Sequence, residues 1–487
     1  MLLVVAACIV IAAAWGLSGT DASTTARAGN TIAAAVPTVA EPDTVSSTWY
    51  CAEGTGSPGG RADETIIVAN EGNTEARAVV TVMAGGRGEP ESRRVAVPPG
   101  GQVRVPVSSV LQTPEHPDEA GLVVGPGVVV EVFGGGSIVE HEIVGESDLA
   151  VGPCARQAGR DWYFAAGTTE RGAEDNAALF NPFPDDAIVD LTFATDAGFI
   201  APADLQALVV PRRSRLTVPV GNFVRRQAQV ALHVHVRTGR IVAEQSLTFT
   251  AENETRRGLT LSLGAPSPES SWSLPGVVPE DGTSHAVRVA NFDTSATEVE
   301  IAPRFEEPSS TRPKPVPVGG RSVAVVDLES LGGSGAPLAF DVRTTRASPV
   351  VVEELASWAP PAAAAGSATT LASPVQAPGW AFAAGRLTPD GDAGVSVLNP
   401  GPKSTTVRLL AYESGGGDEP TSVGELQVPA RAQARFDLVE LGVAPDQVVV
   451  VRADAPVIAA GRIVGPTGVS LALGVAEPDA GYGPLRS

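Results

Sequence analysis

The stretch DWYFAAGTTERGAEDNAALFNPFPDDAIVDLTF, residues 161–193, contains the pattern on which the interpretation of the whole sequence rests. It begins next to Trp162, and its middle apolar run ends at Asn181, directly before a proline. The following segment, Ala187 to Thr195, alternates apolar and polar residues with a period of two, which predicts a half-buried β-strand. An Asn-Pro turn between two such segments is typical of an antiparallel β-protein.

The same landmarks recur four times along the chain. Successive tryptophans are 113, 110 and 108 residues apart, and each is followed after 19 to 21 residues by an asparagine that ends an apolar run. A Val-Pro pair then follows near the middle of each block. Recurrence at a fixed period predicts four copies of one structural unit. The landmarks are Trp49, Trp162, Trp272 and Trp380; Asn70, Asn181, Asn291 and Asn399; and Val97-Pro98, Val210-Pro211, Val316-Pro317 and Val428-Pro429.

Each unit has the size and rhythm of an Ig-like β-sandwich. About seven or eight short strands fit into about 110 residues, with turn signals every 8–12 residues. The alternative is a β-propeller with two blades per unit, and it ranks second because neither landmark recurs at the half period. The tryptophans are expected to pack in the cores, and the asparagines to cap turns.

These observations predict an all-β chain of four tandem modules behind one apolar helix. The expected segments are a membrane anchor or signal at 1–20, a linker at 21–47, modules at 48–158, 159–266 and 267–358, a Pro/Ala-rich linker at 359–378, a fourth module at 379–478 and a tail at 479–487.

The N-terminal run from Met1 to Leu17 is uncharged and apolar, and the first basic residue is Arg27. Its length suits either a short membrane-spanning helix or the apolar part of a signal peptide. An uncleaved anchor is favoured, with the bulk of the chain outside the cytoplasm. Secretion after cleavage is the alternative.

Two of the three cysteines, Cys51 and Cys154, flank the first unit, while Cys8 lies in the apolar run. In an exported protein this arrangement predicts one disulfide that closes a loop of about 100 residues. Two unpaired thiols are the alternative.

The composition narrows the classes of partner. Of the residues, 43% are hydrophobic, which is enough for packed cores, and the formal net charge is -21. A surface this acidic repels phosphate backbones, so no nucleic-acid partner is expected.

The stretch between each Trp and its Asn is acidic, and carboxylates in a loop can bind Ca²⁺. A solvated, turn-forming loop is the favoured interpretation, and a calcium site that includes Asp390 and Asp392 is the alternative. The carboxylates are Asp63 and Glu64; Glu170, Glu174 and Asp175; Glu280 and Asp281; and Asp390 and Asp392.

His233 and His235 stand two residues apart on a predicted strand, a spacing that can place two imidazoles on one metal ion. A solvent-facing strand without metal is the favoured interpretation, because no cysteine completes a set nearby. His116, His141 and His285 are scattered over other units.

The motifs of nucleophile elbows, P-loops, dinucleotide-binding loops and zinc proteases are missing from the sequence. We therefore expect a non-enzyme with no catalytic residue and no cofactor. A glycosidase that uses a carboxylate pair stays open, because Asp and Glu are abundant.

The second unit, with WYFAAGTTERG, AALFNPFPDD, VVPRRSRLTVPV and GRIVAEQSLTF, is similar to repeats in exported actinobacterial proteins. Over residues 45 to 477 the chain resembles an actinobacterial, membrane-linked family of unknown function of the DUF5719 type. The resemblance implies neither a catalytic residue nor a cofactor. The third unit departs from the pattern at Asn291-Phe292, and the fourth replaces the closing Glu with Gly461-Arg462.

The sequence thus predicts a non-catalytic, extracytoplasmic scaffold or interaction protein of the cell envelope, with an envelope protein or glycan as partner. Two alternatives stay open. One is a calcium-dependent glycan-binding protein or carbohydrate-active enzyme that uses the acidic loops, and the other is an accessory subunit of an envelope glycosyltransferase system.

Overall fold

The structure is a computed structural model that describes residues 36–477, except 42, 58–60, 86–87, 118–119, 146–147, 251, 254, 278–280, 309–310, 332–337, 347, 360–364, 384–391, 418 and 466–467. The apolar run Met1 to Leu17 and the tail at 479–487 lie outside the described residues. Among the described residues, no helix is both long enough and apolar enough to cross a membrane.

The first module consists of two antiparallel sheets around one apolar core, with strand orders β1-β8-β3-β4 and β10-β9-β2-β5. Strand alternation supplies this core, since Ala78, Val80 and Val82 of one strand are buried while the residues between them are more exposed. Its strands are β1 (Ser46–Cys51), β2 (Asp63–Asn70), β3 (Ala76–Met83), β4 (Glu91–Val97), β5 (Gln102–Pro106), β6 (His116–Pro117), β7 (Val123–Gly125), β8 (Gly127–Phe133), β9 (Ser137–Val144) and β10 (Leu149–Pro153), with a 3-10 turn at Val107–Ser109.

The second module repeats this topology, with orders β11-β17-β13-β14 and β19-β18-β12-β16. The short strands β7 and β6 of the first module extend its second sheet beyond β16. Its strands are β11 (Asp161–Gly167), β12 (Ala173–Asn181), β13 (Ala187–Thr195), β14 (Gly198–Ile200), β15 (Leu208–Val210), β16 (Ser214–Pro219), β17 (Val230–Thr238), β18 (Val242–Phe249) and β19 (Gly258–Leu263), with 3-10 turns at Ala203–Leu205 and Val220–Asn222.

The third and fourth modules follow the same plan, except that one long strand, β33, serves both sheets of the fourth. The strands are β20 (Ser271–Val277), β21 (Thr283–Asn291), β22 (Thr297–Phe305), β23 (Lys314–Val318), β24 (Ser322–Asp327), β25 (Leu338–Thr344), β26 (Val351–Trp358) and β27 (Gly366–Leu371), with a 3-10 turn at Leu328–Leu331, and then β28 (Ala377–Phe382), β29 (Asp392–Asn399), β30 (Thr405–Ala411), β31 (Thr421–Val428), β32 (Ala432–Asp437), β33 (Val449–Gly465), β34 (Gly468–Leu473) and β35 (Val475–Glu477).

The predicted all-β sandwich class is confirmed. The propeller alternative is wrong, because each unit folds as two facing sheets around one core and not as two separate four-stranded blades.

The segment 359–378, predicted as a Pro/Ala-rich linker, contains β27, which pairs with β26 and completes the third module. That prediction was wrong because GSATTL has the small-residue composition of a linker. Small residues are needed here since the strand packs closely on its neighbours: a Cβ on Gly366 would lie 3.0 Å from a methyl group of Val469.

The four modules form a closed ring. Strands β10, β19, β27 and β34 occupy the equivalent place in each module, and each packs against the next around a common axis, with β34 returning to β10. Val151 of β10 donates its N–H to Ser470 Oγ of β34 at 2.9 Å, and Thr370 Oγ1 of β27 lies 3.1 Å from the Leu471 carbonyl of β34. The units therefore do not extend end to end.

A short N-terminal segment reinforces the closure of this ring by joining the fourth module to the first. Val39 donates a backbone hydrogen bond to the Ala476 carbonyl of the fourth module, and Ala40 donates one to the Ser137 carbonyl of the first. Val36, Val39 and Ala40 are all buried. The described part of the predicted linker 21–47 is thus largely built into the ring.

Removal of residues 1–40 is therefore expected to lower the free energy of unfolding by about 3 kcal/mol relative to removal of residues 1–35, because two buried valines and several backbone hydrogen bonds are lost. Urea unfolding followed by near-UV circular dichroism measures the difference. Equal stability of the two truncated chains would contradict closure of the ring by this segment.

Candidate functional site

The tryptophan landmarks lie in the cores. All four are buried. Three of the indoles donate to a backbone carbonyl in or just before the strand of their own module that is equivalent to β18, which is β18, β26 or β33, while Trp49 donates to Ser47 Oγ. The three pairs are Trp162 with Ile241 at 3.0 Å, Trp272 with Val350 at 2.8 Å and Trp380 with Val457 at 2.8 Å. These side chains pack in the apolar cores of their modules.

The asparagine landmarks clamp one turn in every module. Asn181 accepts from the N–H two residues ahead and donates to the carbonyls of Asp185 and Val210, and Asn70 and Asn399 make the same contacts. Asn291 makes the first two of these contacts, with the Asp293 N–H and the Ser295 carbonyl. In the third module Asn291 donates to the Gly319 carbonyl. The pair equivalent to Val97-Pro98 is therefore Val318-Gly319, and Val316-Pro317 lies two residues too early.

A buried glutamate caps the preceding module at three of the four boundaries. Glu353 Oε2 accepts the N–H groups of Ala165 and Ala166 at 2.5 and 2.8 Å. Glu244 Oε2 caps Ala52 and Glu53 in the same way, and Glu140 Oε1 caps Ala383. The Ala-Ala-Gly ending of the Trp strand and the Glu of the Val-Ala-Glu motif are thus two halves of one contact.

The remaining boundary lacks both halves of this cap. Strand register places Ala460, and not the predicted Gly461-Arg462, where the other modules have the glutamate. Opposite it, the residue equivalent to Ala165 is Pro275, which has no N–H to satisfy. Gly276 donates instead to Gln433 Oε1 at 3.3 Å. The loss of the glutamate acceptor at Ala460 is thus compensated by the loss of an N–H donor at Pro275.

A second buried site in the same sheet contains two side chains on neighbouring strands, and the two residues change together from module to module. Module one pairs Glu64 with His141 at 3.0 Å, module two pairs Asp175 with Gln245 at 2.8 Å, and module three reverses the order with His285 and Glu354 at 2.7 Å. The fourth module has Ala393 and Gly461 at these places. The acidity of the Trp-to-Asn stretch is in part this buried pairing, which the sequence alone did not reveal.

The boundary between modules one and two holds a buried charge cluster. Burial opposes the charge of His141, but the carboxylates of Glu244 and Glu64 raise the pKa of His141 to about 9. Burial raises the pKa of Glu244 to about 7. The other members are Glu53, Arg61, Glu115 and Arg215, linked by ion pairs. The cluster joins strands of both modules and so holds the boundary together.

Cys51 and Cys154 form the predicted disulfide, with both residues fully buried. His141 lies beside them, but the sulfurs are bonded to each other and are not free metal ligands.

The weak calcium candidates do not form an oxygen cage in the described structure. Asp392 pairs through one carboxylate oxygen with Arg435 and through the other with Arg462. Asp390 and Glu280 lie outside the described residues. Because both carboxylate oxygens of Asp392 already pair with arginines, this residue is a poor ligand for Ca²⁺.

At the ring axis, the four equivalent strands line a cavity of about 140 Å³. Val151, Leu261 and Leu471 give it an apolar wall, and Val36 and Pro37 reach it from the N-terminal side. No sequence motif marked this cavity, because it exists only where all four modules meet.

His233 and His235 lie on the outer face of the second module, where Asp161 of the adjacent strand joins them. Asp161 Oδ1 lies 2.9 Å from His233 Nε2 and 2.8 Å from His235 Nδ1. Burial opposes its charge, but these two hydrogen bonds hold the pKa of Asp161 below its usual range. Burial lowers the pKa of His233. The sequence indicated the two histidines, whereas Asp161 reaches them only through strand register.

Protonation of Asp175 is expected to make stability depend on pH. Burial raises the pKa of Asp175 to about 7, so the folded state holds a proton that the unfolded chain releases near pH 4. The stabilisation that this proton gives the folded state is complete below pH 4 and is lost as the pH rises to 7. The free energy of unfolding of Asp175→Asn, taken relative to wild type, should therefore rise by up to about 1.4 kcal/mol for each unit that the pH increases over this window. Urea unfolding from pH 4 to 8 tests this, and a pH-independent difference would contradict it.

One protein family matches part of the chain: residues 147–351 match the family of unknown function DUF5719. No curated protein matches the chain. Among solved structures, the chain is similar at 13% identity to a tetra-tandem repeat in the extending region of a large adhesion protein, covering 92% of this chain and all of that one. The TM-score of 0.10 is too low to carry an argument about fold or function.

Proposed function

We propose that this chain is a non-catalytic, extracytoplasmic scaffold or interaction protein of the cell envelope. The observation that carries the proposal is the closed ring. Four modules held by buried caps and one terminal segment act as a single rigid body, which presents its outer faces in fixed relation. A rigid platform binds partners without the entropic cost of ordering mobile domains.

Two further features support the proposed extracytoplasmic location. The buried disulfide belongs to oxidising compartments. The apolar run Met1 to Leu17 has the length and composition of a membrane-targeting segment, which supports this location. The charge of -21 keeps such a surface soluble and disfavours anionic wall polymers, so a protein or a neutral or cationic glycan is the expected partner.

Retention on isolated envelopes tests the proposal. The chain from residue 36 onward, which keeps the closing segment, is passed over envelopes of the source organism before and after they are stripped of protein. Retention lost on stripping indicates a protein partner, and retention that survives indicates a glycan. Unfolded chain serves as the control. Retention no greater than that of the control in both cases would refute the proposal.

A further inference from the structure

Three side chains on the outer face of module two bring two nitrogens and one oxygen together. The register of β11 and β17 places Asp161 opposite His235 and Tyr163 opposite His233. Asp161 Oδ1 lies 2.9 Å from His233 Nε2 and 2.8 Å from His235 Nδ1. The three atoms that could bind a metal all lie within 4.8 Å of one another.

The neighbouring aromatic rings hold this cluster in place. Tyr163 stacks on His233 with ring centroids 4.2 Å apart and an angle of 8° between the planes. Phe292 of the third module packs edge-on against Tyr163 at 5.0 Å. The His233 ring therefore has neighbours from two modules, while His235 remains half exposed and open to solvent. A rigid, reachable donor set is what metal affinity requires.

We propose that Asp161, His233 and His235 bind one divalent transition-metal ion, with Zn²⁺ the best match. Two imidazoles and a carboxylate form a borderline donor set that suits zinc and its neighbours, whereas Ca²⁺ and Mg²⁺ prefer oxygen alone. Bonds of about 2.0–2.1 Å in a tetrahedral site place neighbouring donors about 3.3 Å apart. The observed separations of 2.8 and 2.9 Å reach this value by a small outward shift of each ring.

Both histidines help to line a cleft of about 290 Å³. Phe292 and Arg321 of module three form part of its wall. Three protein ligands next to an open cleft leave the fourth metal position accessible to water or to an external donor. The proposal does not depend on the scaffold function, since metal binding and envelope retention are separate properties.

Zinc titration of the full chain in detergent, by calorimetry and by metal analysis after dialysis, tests the site. We expect one Zn²⁺ per chain and a fall in affinity of at least about 10–100-fold for His235→Ala and for Asp161→Asn. His116→Ala, which removes an exposed histidine of the first module, is the matched control and should bind as wild type does.

The Co²⁺-loaded chain gives a second measurement. Visible absorption of tetrahedral intensity that disappears in both variants would support the site. Because His235 is half exposed, its replacement should leave the unfolding curve unchanged, so a loss of binding cannot be attributed to misfolding. Absence of stoichiometric zinc in wild type, or undiminished binding in both variants, would overturn the proposal.

Discussion

Replacing Glu353 with alanine is expected to lower the free energy of unfolding by about 3–5 kcal/mol. The carboxylate is fully buried and accepts three hydrogen bonds, two from the backbone of module two and one from Ser262 Oγ at 2.6 Å. Alanine leaves all three donors without this acceptor. Each unsatisfied buried donor costs about 1–3 kcal/mol.

Glu353→Gln separates the loss of an acceptor from the loss of a charge. Both backbone donors converge on one oxygen, which an amide carbonyl can replace, and the amide nitrogen can donate to the Ser262 hydroxyl. We therefore expect a cost of only about 1 kcal/mol. Exposed Glu174→Ala should stay within about 0.5 kcal/mol of wild type. Urea unfolding measures all three, and equal costs for Ala and Gln would show that charge, not capping, stabilises this boundary.

At the boundary between modules three and four, where the glutamate cap is absent, the first of its two donors is absent too. Pro275 removes one of the two N–H groups that the cap binds at the other boundaries, and the second, on Gly276, donates to Gln433 Oε1. This pairing also explains why the closing Glu is missing from one copy. The glutamate satisfies a neighbour's backbone, and it is not needed where the neighbour has proline.

The module itself could be predicted from the sequence because its signals are local. The period-two strands, the Trp and the Asn each act within one unit, and the copies reinforce one another. Predictions lost accuracy where a local signal was ambiguous: Val316-Pro317 resembled the true landmark, and the Ala, Gly and Thr residues of β27 resembled a linker.

The ring and the candidate metal site could not be predicted in this way. The cap joins Glu353 to Ala165, which are far apart in sequence and lie in different modules. Strand register alone brings Asp161 to the two histidines. A trace of the ring was nevertheless present. At three boundaries a Glu in one copy is matched by an Ala three residues after the Trp of the neighbouring copy, whereas at the fourth boundary Ala460 of module four is matched by Pro275 of module three.

Replacing both Cys51 and Cys154 with alanine is expected to lower the free energy of unfolding by about 4–5 kcal/mol. The bond joins residues separated by 103 positions, so its loss frees a long loop in the unfolded chain. It also lies beside the paired backbone hydrogen bonds between Tyr50 and Ala155, at 2.9 Å each, where the chain leaves module one. The unfolding of module one should show the loss most strongly.

The other modules provide a matched control. At the equivalent positions, module two has Phe164 against Gly264, and a Cβ on that glycine would lie 2.7 Å from the ring. Module four repeats this arrangement with Phe382 and Gly474. A phenylalanine thus fills the space that the disulfide occupies in module one, and Cys51→Phe with Cys154→Gly should restore packing without restoring the covalent link.

Comparison of the two double variants under oxidising and reducing conditions separates packing from the covalent constraint. We expect the Phe/Gly variant to be more stable than the Ala/Ala variant but still about 3 kcal/mol less stable than oxidised wild type, because the unfolded loop stays open. Reduction should destabilise wild type alone. If the Phe/Gly variant matches oxidised wild type, packing accounts for the whole contribution of this site, and the first module would need no covalent link to hold its place in the ring.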